Sequence, residues 1–133
     1  MCARPCRELT APDVAHAVLA ACARVARRRR VRIHAYCIMP DHLHIAVSVQ
    51  QEGGDLRLWA RYAKREVARS LVAPGMWQRS FWDRRIDDGE NPATVAMYAL
   101  ENPVRAGLCA GVAEWAFSWS EWHEWCGGDD PNV

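Results

Sequence analysis

Apolar residues recur at helical spacing early in the chain: Val14, Val18, Ala21, Cys22 and Val25 fall on one face. The spacing predicts a helix over 11–28, opened by Thr10-x-x-Asp13 as a capping box and closing in the run Arg27–Arg30. The period then changes. VRIHAYCIMP (31–40) is β-rich and is stopped by Pro40. HLHIAVSVQ (42–50) alternates strictly, with Leu43, Ile45, Val47 and Val49 on one face. After Gly53-Gly54, Asp55 caps a second helix over 56–71 with the apolar stripe Leu56, Trp59, Ala63, Val67 and Leu71. Pro74-Gly75 turns the chain into MWQRSFWDRRI (76–86), a further strand. Asn91-Pro92 supplies an N-cap and a proline at the first position of a third helix over 92–101. That helix should stop near Asn102, because Pro103 disfavours helical geometry in the residue before it. Beyond it the periodicity is weak, although four tryptophans (115, 119, 122, 125) lie there.

The order helix, strand, strand, helix, strand, helix suits an α+β sandwich, an antiparallel sheet with helices on one face. The 133 residues make one domain, 1–126, followed by GGDDPNV (127–133) as a flexible tail. Half the residues are apolar and a quarter charged, which excludes a disordered chain. No apolar run approaches the ~18 residues of a membrane span. MCARPCRELT lacks the apolar core of an export signal, so no membrane partner is expected and the expected location is cytoplasmic. The six cysteines (2, 6, 22, 37, 109, 126) then read as mostly free thiols. His34 and Cys37 fall on opposite faces of a regular strand, and Cys2-x3-Cys6 is not a zinc-knuckle spacing, so no cysteine is assigned to a metal.

The formal charge of +1 hides its distribution. Residues 1–40 carry 8 bases against 2 acids, residues 57–85 again 8 against 2, and residues 114–133 carry 5 acids and no base. On the second helix Arg57, Arg61, Arg65 and Arg69 recur every four residues as a basic stripe opposite the apolar one. Such a stripe can track a phosphate backbone, and it can equally be a solvated face.

Two pairs of residues could carry chemistry. His42 and His44 point the same way on a strand, about 6.5–7 Å apart along it, close enough to reach one divalent ion. Ala46 and Ser48 continue that face and leave room for a ligand. An ordinary exposed or hydrogen-bonded histidine pair has the same spacing. Asp41 could orient one imidazole or only cap a turn. Tyr98 and Asn102 share a helix face; a core-edge aromatic and a C-terminal cap would look alike. Nothing local places the two pairs together.

HAYCIMPDHLHIAVSV resembles the strand–turn–strand signature of the single-tyrosine HUH transposases, in which two histidines flank a hydrophobic residue. YALENPVRAGL (98–108) resembles the Tyr-x-x-x-Asn-Pro-Val-(Lys/Arg)-x-Gly-Leu signature of their REP-associated, IS200-like branch. WQRSFWDRRI and WAFSWS resemble the intervening strand and the closing segment. Two motifs in the right order are more specific than either alone.

The resemblance implies a ferredoxin-like antiparallel sheet, Tyr98 as nucleophile, His42 and His44 as metal ligands, and Asn102 as the third ligand. It implies Mg2+ or Mn2+, a single-stranded or hairpin DNA partner, and cleavage and rejoining through a 5′-phosphotyrosine. It also implies a monomer or a homodimer. Arg57, Arg61, Arg65 and Arg69 would contact the DNA, and Trp77 or Trp82 could stack bases, although strand aromatics are more often core. The family usually has a strand before the first helix; MCARPC is a poor strand, so a truncated first strand is expected. Two competing readings are a non-catalytic DNA-binding module derived from such an enzyme, and a small domain in which the histidines bind structural zinc.

Overall fold

In the computed structural model, which describes residues 8–50, 52, 54–73, 75–77 and 89–132, the β-rich segment after the first helix forms the middle strand of an antiparallel sheet. This strand, β1 (Val31–Ile38), pairs along its length with β2 (Leu43–Val49), from Val31↔Val49 to Ile38↔Leu43. On its other side Ala35, Tyr36 and Cys37 pair with β3 (Ser118–Ser120). The order among the described strands is β2-β1-β3.

A bulge interrupts β1 between Ile33 and Ala35. It adds one residue, so Ile33 and Tyr36 face the same side although three apart, joined by Val31 and Ile38. Opposite them Leu43, Ile45 and Val47 complete the core side of the sheet. The other side carries Cys37, His44, Ala46, Ser48 and, bonded to Ser48, His34. His34 and Cys37 therefore share a face, contrary to the strict alternation expected of a regular strand.

The core side is covered by α1 (Pro12–Arg29) and α2 (Leu56–Ser70). The helical spacing of α1 buries Val14, Val18, Ala21, Cys22 and Val25, as expected. Its start differs from the expected capping box. Ala11 is the N-cap and offers no side-chain acceptor, while the Thr10 hydroxyl donates to Glu8 at 3.2 Å. Pro12 removes one donor that would need a cap, and Asp13 complements the dipole. Asp55 caps α2 as expected, accepting from the N–H groups of Arg57 (2.9 Å) and Leu58 (3.2 Å). Trp59, Ala63 and Val67 reach the core; Leu56 is exposed and Leu71 lies at the C-cap. Full burial of Ile33, Val18 or Val67 is worth about 1.5–3 kcal/mol each.

The expectation of helices on one face holds for α1 and α2. The third helix, α3 (Pro92–Leu100), lies on the other side, where Leu100 packs with Cys37 and Met39. The helix does not end for good at Asn102. After Glu101 a second short helix, α4 (Asn102–Arg105), begins with Pro103 in its first turn, where proline is tolerated. Residues 127–132, expected as a flexible tail, are instead fastened to the sheet. The Asn132 amide accepts from Ile33 N–H (3.3 Å) and donates to Ile33 C=O (2.8 Å), and Gly128 N–H donates to Ser118 C=O (2.8 Å).

The expected strand over 76–86 lies outside the described residues from 78 onward, as do Trp82, Cys2, Cys6 and the N-terminal segment 1–7. Cys22, Cys37, Cys109 and Cys126 are free thiols. No described helix is long and apolar enough to cross a membrane.

Candidate active site

The Pro40-Asp41 turn delivers both histidines. Met39 N–H donates to His42 C=O (2.8 Å), which closes the hairpin and sets His42 at the mouth of β2 and His44 on it. The rings lie edge to face, 4.8 Å between centroids and 81° between planes, with the two Nε2 atoms 3.1 Å apart. The tips thus converge well inside the expected strand spacing, because His42 precedes the regular strand. His42 Nδ1 lies 2.6 Å from the Asp41 carboxylate. A carboxylate can only accept, so Nδ1–H of His42 donates to it. Asp41 therefore orients His42. Burial, then the charges of His42 and Arg105, push the His44 pKa down to about 4, so the ring is neutral at pH 7. Among the described residues, no third histidine, cysteine or carboxylate joins the pair as a ligand cluster.

The helix bearing Tyr98 packs on this same side of the sheet. Its Leu100 touches Cys37, the cross-strand neighbour of His44. Ala96 and Leu100 are its buried residues. Tyr98 lies about 200° round the helix from each, at ~100° per residue, and is 68% exposed. Its hydroxyl makes no hydrogen bond among the described residues. The helix packs on the imidazole side of the sheet, and its tyrosine is exposed there.

Asn102 stands one turn further on with both ends of its amide engaged. Nδ2 donates to Ala99 C=O (2.9 Å), and Oδ1 accepts from Arg105 (2.9 Å). Arg105 also donates to Tyr98 C=O (2.6 Å) and lies over the Tyr98 ring, 4.0 Å from its centroid. Arg105 was present in the quoted motif but was given no role from sequence; its side chain is the one that joins Tyr98 to Asn102.

Arg57, Arg61, Arg65 and Arg69 are all exposed on α2. They lie on the helix face opposite Trp59, Ala63 and Val67, so the sheet separates them from His44. Trp77 is 8% exposed and donates to Lys64 C=O (2.9 Å); it belongs to the core and does not present a stacking face. Sequence reasoning also missed a cluster further along the sheet. His34 bonds Ser48 Oγ (2.6 Å) through Nε2 and the Glu121 carboxylate through Nδ1, and Arg32 donates to Glu121 (2.9 Å). A cleft of about 310 Å³ beside it is lined by Arg32, Glu121, His123 and Glu124, and does not include the imidazole pair.

A paired-imidazole hairpin on a sheet face, with a tyrosine helix packed beside it, defines the class. Residues 1–100 match the family described as transposase IS200-like, and the chain belongs to that family. It is similar to a REP-associated tyrosine transposase of Haemophilus influenzae, 29% identical over 98 residues, covering 63% of this chain and 56% of that protein. It is also similar to the REP-associated tyrosine transposase of Escherichia coli, 26% identical over 103 residues, covering 77% of this chain and 60% of that protein. Each match thus spans less than two thirds of the relative's length. In fold it resembles a REP-associated tyrosine transposase solved bound to a REP hairpin, with TM-score 0.79, 24% identity, and coverage of 88% of this chain and 71% of that one.

Proposed function

We propose that this chain is a metal-dependent transposase that cleaves and rejoins single-stranded or hairpin DNA through a 5′-phosphotyrosine on Tyr98. The observation that carries the reading is the convergence of two imidazole Nε2 atoms on the sheet face that receives the tyrosine helix. Their 3.1 Å separation suits two neighbouring ligands of one ion, since nitrogens about 2.1 Å from an octahedral centre lie about 3 Å apart. The donor set fits too: His42 is oriented by Asp41, and His44 is uncharged. His42 and His44 would hold Mg2+ or Mn2+, which would polarise the scissile phosphate and offset its charge.

Tyr98 then supplies the nucleophile. Its oxygen bonds phosphorus, its proton passes to solvent, and the P–O3′ bond breaks as O3′ takes a proton from solvent to leave as a 3′-hydroxyl. The reverse attack by a 3′-hydroxyl restores a phosphodiester and frees the phenol. Bond energy is kept in the covalent intermediate, so no nucleotide cofactor is needed. The hydroxyl reaches the phosphate by adjustment of α3 on the sheet or from a second copy of the chain, as monomer or homodimer. Arg57, Arg61, Arg65 and Arg69 hold the DNA backbone on the opposite side of the domain.

The test is a denaturing gel of protein, Mn2+ and a labelled hairpin oligonucleotide. A covalent adduct is expected, absent from Tyr98→Phe and reduced on the order of 100-fold or more in His44→Ala. An equal adduct from Tyr98→Phe would sink the assignment. The exposed Tyr98 without a hydrogen-bonded hydroxyl among the described residues and the separate basic stripe favour one second reading, a DNA-binding module without catalysis. Salt-sensitive binding with no adduct, unchanged in His42→Ala, is its signature.

A further inference from the structure

We infer that Arg105 meets the scissile phosphate, and that Asn102 is the positioning residue that anchors Arg105 and is not a ligand of the ion. The inference rests on the transposase reading and goes beyond it by assigning the charge-bearing group on the tyrosine side of the site.

Arg105 ends α4, and its side chain folds back over the preceding helical turns. One terminal nitrogen donates to Tyr98 C=O (2.6 Å) and to Asn102 Oδ1 (2.9 Å); the other donates to Glu101 (3.3 Å). The guanidinium plane lies over the phenol at 4.0 Å. These contacts use three of its five N–H donors, and the side chain is 38% exposed, so Nε–H and one Nη1–H remain, either of which can take a phosphate oxygen. A cation on the phenol face also sits where negative charge gathers as Tyr98 becomes a nucleophile.

The orientation of Asn102 follows from its neighbours. A carbonyl requires a donor and a guanidinium requires an acceptor, so Nδ2 faces Ala99 and Oδ1 faces Arg105. The oxygen that would ligate an ion is thus engaged by a cation that repels one. Two roles remain consistent with that geometry: Asn102 fixes the guanidinium, and among the described residues the imidazoles supply the protein ligands.

Two measurements separate this arrangement from a ligating Asn102. In the Tyr98→Phe background, with uncut hairpin DNA bound, Mn2+ affinity is read by spin-resonance titration. His44→Ala is expected to lose about tenfold or more, while Asn102→Ala stays within about twofold of its parent. In the Tyr98 protein, single-turnover adduct formation at saturating DNA is expected to fall about 100-fold in Arg105→Gln, with partial recovery in Arg105→Lys. Asn102→Ala should fall less, and the double variant no further than Arg105→Gln alone, because the two act as a unit. Melting curves exclude unfolded variants. A loss of Mn2+ affinity in Asn102→Ala matching that of His44→Ala overturns the assignment, as does an unchanged rate in Arg105→Gln. Absence of adduct in the parent overturns the transposase reading instead, and the Mn2+ titration still decides between anchor and ligand.

Discussion

Glu121 is the residue on which the far end of the sheet turns. Burial raises its pKa, but hydrogen bonds from Arg32 and His34 outweigh burial and hold the carboxyl below its ordinary value of 4.5. A carboxyl depressed in the folded state stabilises the fold above the unfolded value, and that contribution is lost as pH falls through the folded one. Glu121→Gln should therefore destabilise at pH 7, by roughly 1 kcal/mol for a part-exposed pair. The difference in melting temperature from the parent should shrink as pH drops below 4.5. A difference that persists unchanged at pH 3 would show that packing, not charge, is responsible. None of this cluster was legible in the sequence. Its partners are 87 residues apart in the case of His34 and Glu121, and the bulge that turns His34 toward Ser48 carries no residue signature. His42 and His44 were legible because adjacency along one strand fixes their common face. Their convergence to 3.1 Å was not, because it depends on the turn.

Among the elements, α2 was the most legible, since its two faces differ so sharply in composition. Asp55, Trp59, Ala63 and Val67 behave as their spacing requires. The arginine stripe is exposed as expected, yet the sheet lies between it and the imidazoles, a relation no periodicity contains. This separation gives a specific expectation. Arg61→Glu with Arg65→Glu should weaken hairpin binding and reduce the slope of log affinity against log salt by about 2. The single-turnover adduct rate at saturating DNA should be unchanged, because neither residue approaches the reacting groups. A lower rate at saturation would place the stripe in the chemistry after all. The third helix was half legible. Pro103 marked an interruption correctly, but proline also opens a helix, and α4 is what returns Arg105 to Tyr98.

For the molecule as a whole, the closing segment decides how the β3 side of the sheet is finished. Glycine, aspartate and proline in GGDDPNV suggested a frayed end, because composition reports local preference and not a distant partner. In the fold, the Tyr36 hydroxyl donates to Asp129 C=O (3.0 Å), and the Asn132 amide satisfies both backbone groups of Ile33 beyond the end of β3. A chain crossing that closely leaves no room for a side chain at one point. A Cβ on Gly128 would collide with the Tyr36 hydroxyl and lie 2.6 Å from Ser118 C=O, a backbone atom inside the sheet. Gly128→Ala must therefore push the segment off, loosening the Asp129 and Asn132 bonds together. The expected cost is about 1–3 kcal/mol, the range of overpacked interiors. Gly111→Ala is the matched control, since a Cβ there meets nothing within 4 Å and its φ of −138° is open to any residue. Thermal melts of the two variants should separate by several degrees. Equal melts would mean that the segment does not help hold the sheet, and amide exchange at Ile33 would then match that of unpaired backbone.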